Sequence, residues 1–182
     1  MTRPDPVALL GFTARWLELG VVDRDRIEAL GREFEVGDDP NPEHYRWRAF
    51  SDFLAGRRPL PPALAEALYS LGEEDADRGA GLAMMAAVAN LPECPAAVQD
   101  RAMASGDRGL SASVLRTRLR TELEGELTDE SFERCLASAD GAVQRTLVDR
   151  TDLTPQHLER IAAEGANRAV RNLAAARLRR RR

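Results

Sequence analysis

Cysteine is scarce, and that bounds the protein first. Cys94 and Cys135 are two residues far apart in the chain, too few for a disulfide framework, so the expectation is free thiols in a reducing compartment. Aromatic residues number nine among 182, so the core must be built mainly from Leu, Ala and Val, which suits helices better than a β-branched sheet. Long apolar runs are missing. The longest weakly polar stretch, residues 79–91, is too short to span a bilayer as a helix, and no membrane association is expected. The opening Met-Thr-Arg-Pro-Asp-Pro lacks the basic-then-apolar layout of a signal peptide, which leads to the expectation of a cytoplasmic protein. What is present is enough for a globular core: 43% of residues are apolar and 31% charged.

Lysine is absent, and all 26 basic residues are arginine, as a coding sequence rich in G and C produces. Their distribution is uneven. Residues 1–100 hold 10 arginines against 18 carboxylates, whereas residues 101–182 hold 16 against 12. Five of those 16 fall in the final Ala176-Arg177-Leu178-Arg179-Arg180-Arg181-Arg182. Such asymmetry suits either a polyanionic partner or a basic helix end that complements its own dipole.

Pro, Gly and Asp punctuate the chain into short segments of helical periodicity, and none alternates convincingly over a strand's length. A first helix is predicted from Pro6 through Trp16 and Leu17 to a stop at Gly20. Asp23 is the predicted N-cap of a second helix carrying Ile27, Leu30 and Phe34. After a loop at residues 37–42, an aromatic helix carries Tyr45, Trp47, Phe50, Phe53 and Leu54, ended by Gly56. Further helices are expected near 61–71, 80–90, 95–105, 110–123, 128–138, 141–149, 154–164 and 167–180.

One kind of helix start recurs. Leu60-Pro61-Pro62-Ala63-Leu64, Cys94-Pro95-Ala96-Ala97-Val98, Thr128-Asp129-Glu130-Ser131-Phe132 and Thr154-Pro155-Gln156-His157-Leu158 each put Pro or an acid in the first turn, with an apolar residue soon after. Asp23-Arg24-Asp25-Arg26-Ile27 is a looser copy. The apolar positions Ile27, Leu64, Val98, Phe132 and Leu158 are 37, 34, 34 and 26 residues apart. A second helix lies between successive starts, and a two-helix unit at this period is the pattern of an α-solenoid, whose pairs stack to bury their stripes. Ala87-Val88-Ala89-Asn90-Leu91-Pro92-Glu93-Cys94-Pro95-Ala96-Ala97-Val98 resembles the bacterial leucine-rich repeat variant. Asp149-Arg150-Thr151-Asp152-Leu153-Thr154-Pro155-Gln156-His157-Leu158-Glu159-Arg160-Ile161-Ala162 resembles it more closely. The resemblance covers about residues 80–175. It implies an all-α, irregular right-handed solenoid of the HEAT or leucine-rich-repeat-variant kind. The expected layout is one helical repeat domain over residues 1–182: a helical cap at 1–56, repeat units at 57–176 and a basic tail at 177–182. The founding member of that family carries an iron–sulfur module, but the clustered cysteines it needs are not in this sequence.

Chemistry-bearing motifs are few. His44 and His157 have no partner at ligand spacing, so no metal or cofactor is expected. Cys135 lies in an apolar helical register, and Cys94 takes the position of the capping Thr154, which suggests capping or packing. The acidic Glu73-Glu74-Asp75-Ala76-Asp77 reads as a solvated turn. No catalytic set emerges, so a non-enzymatic protein is expected. For partner binding, Tyr45 and Arg48 share a helix face with Asp52, opposite Trp47, Phe50 and Leu54; aromatic and Arg residues dominate interface hot spots, although a core helix with hydrogen-bonded polar tips explains the same pattern. Arg145, Arg160, Arg168 and Arg171 are candidates for one basic row suited to phosphates. The resulting expectation is a module that binds another protein in the bacterial cytoplasm, with nucleic-acid binding through the arginine-rich C-terminal half as the alternative.

The register is directly testable. Leu158→Asp puts a charge at a predicted core position and should lower the melting temperature far more than Arg160→Ala. Equal melting temperatures would show that the register is wrong.

Overall fold

The computed structural model describes residues 5–180, so Arg181 and Arg182 of the basic tail, like residues 1–4, lie outside it. Twelve helices and no strand occur among the described residues. They are α1 (Pro6–Leu10), α2 (Ala14–Glu18), α3 (Arg24–Val36), α4 (Pro42–Gly56), α5 (Pro62–Glu73), α6 (Arg78–Ala89), α7 (Ala96–Ala104), α8 (Arg108–Glu122), α9 (Asp129–Ala137), α10 (Gly141–Asp149), α11 (Pro155–Glu164) and α12 (Arg168–Arg179). The fold is all-α, with neighbouring helices packed in pairs, most closely α5 on α6 and α11 on α12. Contacts group the chain into two compact units, Met1–Val114 and Leu115–Arg182, and the boundary falls inside α8. Residue 57, where the repeat units are expected to begin, lies within the first unit.

The predicted first helix is two helices. Gly11 ends α1 in the left-handed region at φ 71°, and the chain restarts at Ala14. A side chain at Gly11 would be strained there, and its Cβ would come within 2.9 Å of Nη1 of Arg46. The break lets Phe12 turn inward to meet Trp16 edge-on at 5.1 Å, and Trp16 in turn meets Phe50 at 6.1 Å. Leu10, Ile27, Leu30, Leu68 and Met84 complete the centre of the N-terminal unit.

Arg46 and Asp75 are buried at that centre, their side chains 7% and 2% exposed. Arg46 Nε and Nη2 donate to the two carboxylate oxygens at 3.0 and 2.9 Å, and Nη1 donates to the carbonyl of Leu10 at 2.7 Å. Asp75 Oδ1 also accepts from the Asp77 amide at 2.9 Å. One forked pair thus ties α1, α4 and the α5–α6 turn together. At Asp75 alone this corrects the reading of residues 73–77 as a solvated turn, since Glu73, Glu74 and Ala76 are exposed. Close approach fixes the same corner from the other side. A Cβ on Gly81 would collide with the Gly72 carbonyl, and one on Gly72 would lie 2.9 Å from the Gly81 carbonyl, so α5 and α6 cross backbone to backbone.

In the C-terminal unit, Phe132, Cys135, Leu147, Leu153, Leu158, Ile161 and Val170 form the core. The predicted caps form as expected: Thr128 accepts from the Ser131 amide and Thr154 from the His157 amide, each at 3.1 Å, and both close capping boxes. The register of the first helices shifts by one, however. Pro61 and Pro95 are themselves the caps, whereas Pro155 is the first helical residue. Leu64 is only half-buried, with Ala65 buried beside it, whereas Val98 at the same register is buried.

A tighter internal repeat lies in the second helices. Asp77, Asp107, Asp140 and Asn167, spaced 30, 33 and 27 residues apart, each accept a backbone N–H in the first turn of α6, α8, α10 and α12. Three residues after each cap stand Ala80, Leu110, Val143 and Val170, and four further on Met84, Val114, Leu147 and Ala174. All eight are buried. The residue four after the cap reaches back to the preceding segment in three of the four. Ser111 Oγ donates to the Met103 carbonyl at 3.1 Å, Gln144 Nε2 to the Leu136 carbonyl at 2.7 Å and Arg171 Nη1 to the Gly165 carbonyl at 2.7 Å. Gln144 is wholly buried, and its Oε1 accepts from the Ala166 amide at 2.7 Å, so both ends of its amide are satisfied.

Removing one member of the central ion pair strands the other in the core. Asp75→Ala should cost about 3–5 kcal/mol. Asp52→Ala, which breaks the exposed Arg26–Asp52 contact at 2.9 Å, should cost under about 1 kcal/mol. Urea unfolding of both variants checks the contrast.

Candidate functional site

The ion pair sets the spacing of a cleft between α4 and α6. Arg46 lies on α4 between His44 and Trp47, while Asp75 holds the amide of Asp77, the cap of α6. The cleft encloses about 340 Å³ and is lined by Glu43, His44, Trp47, Asp77, Gly79, Ala80 and Ala83. Gly79, Ala80 and Ala83 give α6 almost no side-chain bulk here, so the Trp47 indole remains half-exposed. Its far side stacks on Phe50, with ring centroids 6.3 Å apart and an interplanar angle of 26°.

Two carboxylates line the same cleft as the indole. Asp77 Oδ1 accepts from the Ala80 amide at 2.7 Å. Glu43 sits in the first turn of α4. Asp39 clasps the loop before α4, accepting from the Asn41 amide and side chain at 3.1 Å and contacting His44 Nδ1 at 2.8 Å. The hydrogen bond to Asp39 raises the pKa of His44, with Glu43 and Asp77 adding to the effect, and the same bond lowers that of Asp39. The lining holds an aromatic face, carboxylates and a titrating imidazole, and no Ser, Thr, Cys or Lys.

The candidate residues of the sequence fare differently. Tyr45 is 7% exposed, packed edge-on against Phe34 at 5.4 Å, so its ring is core and not contact surface. Arg48 lies over that ring at 5.0 Å and pairs with Glu33. The stripe that turns inward on α4 runs through Arg46, Ala49, Phe50 and Phe53. Arg46 was the missed residue, and its spacing of three, four and seven from Ala49, Phe50 and Phe53 was the available signal.

Among the arginines proposed as one basic row, Arg160 is committed elsewhere. It pairs with Glu133 and Glu164 and lies over the Phe132 ring at 5.4 Å, and these partners raise its pKa further. Arg171 donates to the Gly165 carbonyl. Arg145 and Arg168 are exposed and make no ion pair among the described residues. Other arginines of this half are also engaged. Arg116 pairs with Asp140 at 2.8 Å, Arg134 with Glu122 at 3.0 Å and with Glu130 at 2.7 Å, and Arg150 with Asp152 at 2.5 Å.

No group of three or more metal-ligating side chains is assembled among the described residues. Cys94 is half-buried against the core and does not cap α7, whose cap is Pro95. Cys135 is fully buried, and loss of solvation pushes its thiol pKa up to about 11. No family model, curated protein or solved structure matches the chain.

A thiol so shielded stays protonated and out of reach at neutral pH. In the native protein at pH ~8, Cys135 should resist alkylation by iodoacetamide and become reactive only on unfolding in urea. Peptide mapping after a timed reaction checks this, and rapid native labelling of Cys135 would contradict its burial.

Proposed function

We propose that this protein is a non-enzymatic interaction module of the bacterial cytoplasm, an irregular right-handed solenoid of helical pairs that binds another protein. The recurrence of one capped turn at the start of α6, α8, α10 and α12 supports a solenoid, because each pair repeats the same local solution for packing onto its neighbour. The observation that carries the binding reading is the half-exposed Trp47, which lines the α4–α6 cleft together with Glu43 and Asp77. An indole among polar groups is the usual make-up of an interface anchor.

Nucleic-acid binding is the second reading, favoured by the exposed Arg145 and Arg168, which make no ion pair among the described residues. Against it stands the engagement of Arg116, Arg134, Arg150 and Arg160 with carboxylates of their own unit, which leaves less free positive charge for phosphates.

A photo-crosslinking residue at Ala83, in the cleft, should yield a discrete protein adduct that survives nuclease treatment, while one at Arg145 should not. In the companion measurement, binding to a DNA duplex should be weak and lost near physiological salt. Deleting residues 179–182 should reduce the log–log salt slope by up to roughly 0.9 per lost phosphate contact. Tight DNA binding that survives both salt and the deletion would reverse the two readings.

A further inference from the structure

Three times in this protein an arginine lies over an aromatic ring while pairing with a neighbouring carboxylate. Arg48 does so over Tyr45 with Glu33, at 5.0 Å from the ring centre. Arg101 does so over Tyr69 with Glu73, at 5.2 Å, and Arg160 over Phe132 with Glu133, at 5.4 Å. The α4–α6 cleft offers the same pair of features with a better ring. Indole is the strongest cation–π acceptor among the side chains, and Trp47 shares the cleft lining with the carboxylates of Glu43 and Asp77. Among the described residues, no arginine of the chain lies over it.

We propose that the α4–α6 cleft is a recognition pocket for an arginine side chain of a partner polypeptide, its guanidinium over the Trp47 indole and between the carboxylates of Glu43 and Asp77. The assignment rests on the interaction-module reading and names the chemistry of the partner. Charge complementarity supports it. Residues 1–114, the span of the N-terminal unit, hold 12 arginines against 19 carboxylates, so this unit attracts cations. Arginine fits better than lysine because its planar guanidinium stacks on a ring and forks onto carboxylates at once, and is less strongly hydrated. Glycine and alanine on the opposite wall leave room for its apolar stem.

His44 gives the pocket a pH dependence. The acidic groups that act on it are Asp39, Glu43 and Asp77. While protonated, His44 supplies a competing positive charge at the cleft. Its pKa lies above the ordinary value, so arginine affinity should rise as pH increases through the His44 titration, above the usual histidine range.

The test is an NMR titration of the full chain with a capped Gly-Arg-Gly peptide, its citrulline counterpart and its lysine counterpart. The Trp47 indole N–H is the reporter, and Trp16, 2% exposed, is the internal reference. The arginine peptide should shift Trp47 saturably and leave Trp16 unmoved. The neutral citrulline peptide should bind at least ten-fold more weakly, and the lysine peptide should fall between them. Glu43→Gln should weaken the arginine peptide several-fold, and His44→Gln should flatten its pH dependence. A Trp47 signal indifferent to the arginine peptide, or moved equally by citrulline, overturns the pocket, and equal binding of lysine overturns the choice of arginine. Crosslinking at Ala83 judges the module reading separately: an adduct without arginine binding removes only this pocket, and arginine binding without an adduct removes only the module.

Discussion

A guanidinium forked onto a carboxylate in the interior of the N-terminal unit positions everything around it. Arg46 and Asp75 are both nearly devoid of solvent, and the three donors of Arg46 that face inward are used on Asp75 and on the carbonyl at the end of α1. A buried ion pair contributes little net stability over an apolar packing, because desolvating two charges offsets most of their attraction. What it contributes is geometry. The fork onto Asp75 and the bond to the Leu10 carbonyl tie α1, α4 and the α5–α6 turn to one another in the observed arrangement. The glycine at position 11 and the glycine pair at positions 72 and 81 are the backbone counterparts of this constraint, since each admits an approach that a Cβ would block.

The candidate pocket follows from that constraint. Its two walls are the first turns of α4 and α6, and the ion pair joins those turns through residues adjacent to the lining: Arg46 beside Trp47, and Asp75 two residues before Asp77. A recognition surface on a helical protein needs rigid support, and here the support is buried directly behind the indole, with Phe50 stacked against it.

The C-terminal unit solves its problem by repetition. An Asp or Asn cap, an apolar residue three positions later and a polar side chain one further on that reaches back to the preceding segment appear at α10 and α12, and the same turn opens α6 and α8 with glycine or serine in the last place. Its arginines act largely as cross-links. Arg160 joins α11 to α9 through Glu133, and Arg116 joins α8 to the cap of α10. Part of the positive charge of this half is thus matched by acids distant in the chain but near in space.

The sequence by itself determined the all-α class, most helix limits, the capping threonines Thr128 and Thr154 and the core positions Phe132 and Leu158, because these depend on periodicity and on hydrogen bonds a few residues long. The capped turns were also legible, as Asp77-Arg78-Gly79-Ala80, Asp107-Arg108-Gly109-Leu110, Asp140-Gly141-Ala142-Val143 and Asn167-Arg168-Ala169-Val170, although the first-helix starts drew attention away from them. Tertiary structure alone decided the rest. Tyr45 went inside because Phe34 of α3 comes across to meet it edge-on, whereas Trp47 stacks on Phe50 of its own helix and stays only partly buried. Asp75 was buried because Arg46, 29 residues earlier, required a counter-charge. Arg160 was neutralised by Glu133, 27 residues away. Charge pairing and the choice between core and surface are set by what lies across a helix–helix contact, and local spacing carries no information about which helix will be there.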